Sequence, residues 1–210
     1  MKYKVVYIDE VDSEIRSFKR SVKLRANEKF DISVVKPKPT IESTVSKIIN
    51  QFADAVVADF RLSEEAPEVH YNGSTIIEEI LKIRKDFPVF ILTSFEDDAI
   101  DKGFDVNIVY QKKDILSNSK FFDRVVNQIK KHRVKIKNAE TRILELIKKR
   151  EQKQLSQQEE YELLELDQFI EERLDQRGLI TKDLKTITNS KRLKSLLDKA
   201  DKILEEIKKK

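Results

Sequence analysis

Between Gly103 and Gly178 the chain contains neither glycine nor proline, whereas all four prolines (Pro37, Pro39, Pro67, Pro88) and two of its three glycines lie in the first half. These two residues are the strongest interrupters of helices, so a stretch this long without them reads as helical. The 210-residue chain therefore divides into a turn-punctuated half and an all-helical half. Charge divides with it: residues 1–118 carry 18 basic and 21 acidic side chains, and residues 119–210 carry 24 and 17. With 39% hydrophobic residues and a net charge of only +4, the composition excludes a disordered polyelectrolyte. No apolar run approaches the ~20 residues that span a bilayer, so no membrane association is expected. The absence of cysteine removes disulfides, thiolate nucleophiles and Cys-based zinc sites. Two histidines, His70 and His132, cannot build a His-rich metal centre. Charges follow Met1 where a leader would be apolar, so the protein is expected in the cytoplasm.

In the first half, short apolar runs alternate with amphipathic ones. Lys4–Ile8 is a strand ending at Asp9-Glu10, and Ser13–Leu24 a helix with Ile15, Phe18 and Val22 on one face. Ile32–Val35 stops at Lys36-Pro37, and Thr40 caps a helix bearing Val45, Ile48, Ile49 and Phe52. Ala55–Ala58 is a strand ending at Asp59, followed by a long polar loop, Ser63–Asn72, and a helix from Ser74. Val89–Leu92 ends at Thr93-Ser94, a short acidic helix leads to Gly103, and Asn107–Tyr110 is the last strand. All-apolar strands alternating with helices mean βαβ units around a parallel sheet buried on both faces. The expected fold class is α/β, a flavodoxin-like doubly wound five-stranded parallel sheet, followed by an all-α hairpin or bundle.

Ligands of open parallel sheets bind beyond the carboxyl ends of the strands. That rim collects Asp9, Glu10, Asp59, Thr93 and Lys113: three carboxylates, a hydroxyl and an ammonium. Crowded oxygen ligands suit Mg²⁺, a carboxylate can accept a phosphoryl group, and the hydroxyl and ammonium can hold phosphoryl oxygens.

The five segments YIDE, VVADF, NGSTIIEEIL, FILTS and VYQKK, in this order, resemble a response-regulator receiver domain of two-component signalling over roughly residues 1–133. The resemblance implies that Asp59 is the phosphoacceptor and that Asp9, Glu10, Asp59 and the backbone carbonyl of Arg61 hold Mg²⁺. It makes Thr93 the switch hydroxyl, Tyr110 the switch aromatic and Lys113 the lysine of the site. Three departures stand out: Glu10 where the family often has Asp, Asp114 where it usually has Pro, and a lengthened loop 63–72. Lys112 is a second candidate for the role of Lys113.

Residues 134–210 form the second expected domain. Phe122, Ile129, Ile136 and Ile143 recur every seven residues, interleaved with Val125, His132, Ala139 and Leu146. This coiled-coil-like pattern extends one helix from near Ser119 to about Lys153; the alternative is two helices with a joint near Arg133–Asn138. Ser156-Gln157-Gln158-Glu159 is a capping box that opens another helix. Ser190 opens a third, with a stripe from Leu193 to Ile207. Residues 130–153 hold 10 basic and 3 acidic side chains, residues 157–175 hold 1 and 8, and residues 176–210 hold 11 and 5. Alternating basic and acidic blocks favour an antiparallel hairpin or small bundle.

The expected function is that of a phosphoacceptor response regulator and not an enzyme beyond Mg²⁺-dependent phosphorylation and dephosphorylation of itself. A histidine kinase or phosphotransfer protein is the expected donor, and 134–210 the module that binds an output protein or a second copy. The alternatives are a phosphorylation-independent adaptor on the same fold and a DNA-binding regulator. The acidic block and the lack of a compact helix-turn-helix speak against DNA.

Overall fold

The computed structural model describes residues 2–62, 66–94, 108–117 and 119–175. The elements are β1 (Tyr3–Ile8), α1 (Asp12–Arg25), β2 (Phe30–Val35), α2 (Ile41–Ile49), β3 (Ala55–Asp59) and α3 (Gly73–Ile83). They continue with β4 (Val89–Thr93), β5 (Val109–Gln111), α4 (Lys112–Ser117), α5 (Lys120–Gln152) and α6 (Gln157–Leu174). The acidic segment before Gly103 and the helix expected from Ser190 lie outside the described residues. Compact units comprise residues 1–136 and 137–210, whereas the sequence pattern places the division after residue 133. Among the described residues no helix is long and apolar enough to cross a membrane.

The five strands form one sheet in the order β2-β1-β3-β4-β5, and every pairing is parallel. This is the doubly wound architecture that the alternating pattern predicts. Side chains alternate between faces with a period of two, and two cores result. Val6, Ile8, Val56, Ala58, Val89 and Ile91 face a core shared with Ile48 of α2 and Ile76, Ile77 and Ile80 of α3. Val5, Tyr7, Val57, Phe90 and Leu92 face the other, with Phe18 of α1 and Phe122, Val125 and Ile129 of α5. β3 and β4 are buried at every residue and apolar up to their last one, whereas the edge strand β2 carries an exposed Asp31.

Local chemistry sets the helix ends. The Thr40 hydroxyl accepts the Ser43 N–H to open α2. The helix expected from Ser74 begins at Gly73, because the Asn72 carboxamide oxygen accepts the Thr75 N–H and takes the cap position. β5 lies further along the chain than expected, ending at Gln111 where the sequence pattern suggests Tyr110.

The helix from Lys120 to Gln152 is unbroken over 33 residues, with no joint near Arg133–Asn138. In the second unit, Ala139, Leu146 and Leu155 are buried. Both halves of the Ser156–Glu159 capping box form. The Arg142 guanidinium grips Glu162 with two hydrogen bonds, of 2.7 and 3.0 Å, and Lys149 pairs with Glu159. Residue 142 opposite 162 and 149 opposite 159 define an antiparallel hairpin. Exposed ion pairs contribute little each, so burial of Ala139 and Leu146 supplies most of its stability.

Candidate functional site

The strand order brings the carboxyl ends of β1, β3, β4 and β5 to one rim. Asp9 follows β1, Asp59 closes β3, Thr93 closes β4, and Lys112 follows β5 directly. Asp59 stands opposite Leu92 in the β3–β4 register, which puts Thr93 one residue beyond it on the neighbouring strand. Parity adds a second constraint. Tyr7, Asp9 and Asp59 share the face of Val5 and Val57, so all three point to the α1–α5 side of the sheet.

Asp9 is fully buried at 0% exposure, Asp59 is at 6%, and Glu10 and Thr93 are buried with them. The Lys112 ammonium lies 2.7 Å from Asp59 Oδ1, 3.6 Å from Asp9 Oδ2 and 3.3 Å from Glu14 Oε2. The other Asp59 oxygen accepts the Arg61 backbone N–H at 3.0 Å. Asp9 Oδ1 accepts the Val11 N–H at 2.9 Å, and its Oδ2 accepts the Tyr7 hydroxyl at 2.5 Å. Tyr110 is half-buried, its ring 5.2 Å from Phe121 and 5.4 Å from the Arg124 guanidinium.

One expected residue is corrected. Lys113 is exposed, and it is Lys112 that reaches the carboxylates. The period of two explains the choice: Tyr110 packs on the α1–α5 side, and the residue two further on leaves the strand towards Asp59. Two other residues of the site are absent from the sequence reading. Glu14 in the first turn of α1 shares the Lys112 ammonium, and Tyr7 holds Asp9. The signal for Tyr7 was present in its spacing of two from Asp9.

The long loop after β3 is fastened at its far end. The Tyr71 hydroxyl donates to the Lys38 carbonyl at 2.5 Å and lies 2.7 Å from the Thr44 hydroxyl, while Val69 is buried. His70 is exposed, and His132 sits edge-on to Phe87 with ring centres 5.9 Å apart. Among the described residues no group of three or more histidine, aspartate or glutamate side chains is arranged as a metal cage.

Burial pushes the Asp59 carboxyl up to about 7, with the Lys112 ammonium opposing the rise and the charges of Asp9 and Glu10 reinforcing it. Burial also works against the charge on Lys112, but Asp59, Asp9 and Glu14 outweigh it and hold the ammonium above the ordinary lysine range. The consequence for stability has a definite sign. Native Asp59 keeps its proton to about pH 7, whereas the unfolded chain releases it near 3.8. The native state thus holds the extra proton between those values, and stability falls as pH rises through the window. The loss is on the order of 4 kcal/mol, most of it between pH 5 and 8. Urea unfolding of the wild type and Asp59→Asn at both pH values should show the variant gaining on the wild type at pH 8. An equal difference at the two values would contradict the raised carboxyl.

No protein-family model matches the chain, and no curated protein matches it. Several solved structures are similar. The anti-anti-sigma factor PhyR from Bartonella quintana is 15% identical, covering 61% of this chain and 47% of its own, with a TM-score of 0.44. The bacteriophytochrome response regulator AtBRR is 10% identical, covering 61% and 93%, with a TM-score of 0.45. The non-phosphorylated receiver domain of RcsB from Escherichia coli is 13% identical, covering 56% and 86%, with a TM-score of 0.43. The all-parallel strand order β2-β1-β3-β4-β5 defines the fold independently of these likenesses.

Proposed function

We propose that this chain, a receiver domain with a helical extension, takes a phosphoryl group onto Asp59 from a phosphohistidine donor. The observation that carries the reading is the Lys112–Asp59 pair of 2.7 Å set beside buried Asp9 and Glu10, at the carboxyl ends of β1, β3 and β5 of one parallel sheet. In the transfer an ionised Asp59 oxygen attacks phosphorus. The P–N bond to the donor imidazole breaks, its electron pair returns to the ring nitrogen, and that nitrogen takes a proton from solvent. The product is a mixed anhydride on Asp59. The Lys112 ammonium neutralises one phosphoryl oxygen and the Thr93 hydroxyl donates to another.

The residues fit Mg²⁺. Asp9, Glu10 and Asp59 are buried at this rim, and the Lys112 ammonium reaches Asp59 and Asp9, so the donors offered are all oxygen and carboxylates outnumber the ammonium. Mg²⁺ retains several waters and takes few carboxylates. Asp9, Glu10, Asp59 and the Arg61 carbonyl would hold the ion. When bound it supplies charge neutralisation for the phosphoryl oxygens.

The added charge on Asp59 biases Thr93 and Tyr110 between two arrangements. Residues 134–210 pass the state on through protein contacts. Arg142 and Lys149 are engaged by Glu162 and Glu159, which favours a protein partner over DNA. Incubation with acetyl phosphate and Mg²⁺ tests the acceptor: the wild type should gain one acid-stable, base-labile phosphoryl group, and Asp59→Asn none. Uptake by Asp59→Asn equal to that of the wild type would move the acceptor elsewhere. No uptake by either protein would leave the phosphorylation-independent adaptor as the reading.

A further inference from the structure

Of the six residues of β1, four in a row (Val5, Val6, Tyr7 and Ile8) are buried, and only Tyr7 carries a polar tip into the interior. Its ring stacks on Phe18 with centres 4.0 Å apart and planes 12° from parallel. Phenylalanine would fill that space and stack as well. What tyrosine adds is one hydroxyl, and this hydroxyl makes a 2.5 Å hydrogen bond to Asp9 Oδ2. A hydrogen bond to a buried charged group adds to stability, and it also fixes the direction of the carboxylate that accepts it.

Asp9 is held at three points: by Tyr7 and Lys112 at Oδ2 and by the Val11 N–H at Oδ1. Lys112 reaches Asp9 at the end of a long side chain, and Val11 lies at the N-cap of α1. Tyr7 alone sits within the sheet, hydrogen-bonded into strands on both sides through the β1–β2 and β1–β3 registers.

We propose that Tyr7 is a positioning residue for Asp9, its hydroxyl fixing the carboxylate in the orientation that binds Mg²⁺ at the phosphoacceptor rim. The proposal rests on the phosphoacceptor reading above and deepens it. Hydrogen-bond partners that orient a metal-binding carboxylate typically contribute about 10- to 100-fold in metal affinity. Tyr7 is thereby assigned to affinity and not to the transfer itself.

The test is calorimetric titration of the full-length protein with Mg²⁺ alone, for wild type, Tyr7→Phe, Asp9→Asn and the double variant. Tyr7→Phe should raise the dissociation constant roughly tenfold. Its acetyl-phosphate uptake should return to within about twofold of wild type at saturating Mg²⁺, since only the affinity has changed. In the Asp9→Asn background the same substitution should change nothing further, because Tyr7 acts through Asp9. Tyrosine absorbance offers a readout that needs no variant to fold: Mg²⁺ should produce a difference band in the wild type with the same midpoint as the calorimetry. A Tyr7→Phe protein that binds Mg²⁺ within twofold of wild type overturns the proposal and leaves the phosphoacceptor reading standing. So does a flat tyrosine spectrum in a wild type that binds the ion. A wild type that neither binds Mg²⁺ nor takes up phosphate overturns both.

Discussion

Gly73→Ala should destabilise the fold by about 3 kcal/mol or more, at the upper end of what overpacking a core costs. A Cβ at this position would lie 1.8 Å from the Asp59 carbonyl oxygen, 2.9 Å from its carbonyl carbon and 3.1 Å from Ala58 Cβ. Ordinary contact begins near 3.4 Å, so relief requires the backbones to part by more than an ångström. Neither can yield cheaply. β3 is hydrogen-bonded to β1 on one side and β4 on the other. α3 is anchored by Ile76, Ile77 and Ile80, each at most 1% exposed, and its first N–H donates to the Phe60 carbonyl at 3.0 Å. Where β3 yields, the displaced atom belongs to Asp59, so phosphoryl uptake should then fall together with stability. Urea denaturation gives the first quantity and acetyl-phosphate labelling the second. An alanine variant within 0.5 kcal/mol of wild type, roughly the scatter of neutral surface changes, would show that α3 and β3 part at no cost.

Lys112→Met and Lys113→Met should behave very differently. Removing Lys112 leaves Asp59 and Asp9 buried without their ammonium, and breaking a buried pair from one side costs about 3–5 kcal/mol. At pH 5 native Asp59 is protonated, since its carboxyl titrates at about 7, so the stability loss should be smaller there than at pH 8. Uptake of phosphate should drop on the order of 100-fold, the scale on which a single charge-stabilising donor acts. Lys113→Met should match the wild type in both measurements within about twofold, because Lys113 is exposed to solvent. The reverse result would return the role to Lys113, the residue to which the family pattern points.

The acids and hydroxyl of the rim were legible because each ends a strand that stands out in the sequence. Val5–Ile8, Ala55–Ala58 and Val89–Leu92 are continuous apolar runs, and Asp9, Asp59 and Thr93 are the first polar residues after them. The lysine was harder. β5 has only three residues, too few to fix its end from hydrophobicity, and adjacent Lys112 and Lys113 differ only in which face of the sheet they leave from. Tyr7 was hidden for the opposite reason. Within an apolar strand an aromatic residue reads as core, and it is core; its second role depends on a hydroxyl whose target lies two residues on. Glu14 needed the angle at which α1 leaves β1, which no local pattern encodes. The unbroken α5 was anticipated by its seven-residue spacing, and the half-buried His132 did not interrupt it.

The ion pairs of the second unit contribute more to discrimination than to strength. Arg142 on Glu162 and Lys149 on Glu159 match a basic stretch of helix to an acidic one. Laid against α6 of another copy, α6 would bring its own seven acids up to an equal number, with one arginine on each side to relieve them. Like charges held face to face reject a wrong partner more effectively than exposed opposite charges reward a right one. The acids of α6 therefore weigh against an acidic partner on this helix and in favour of a basic one.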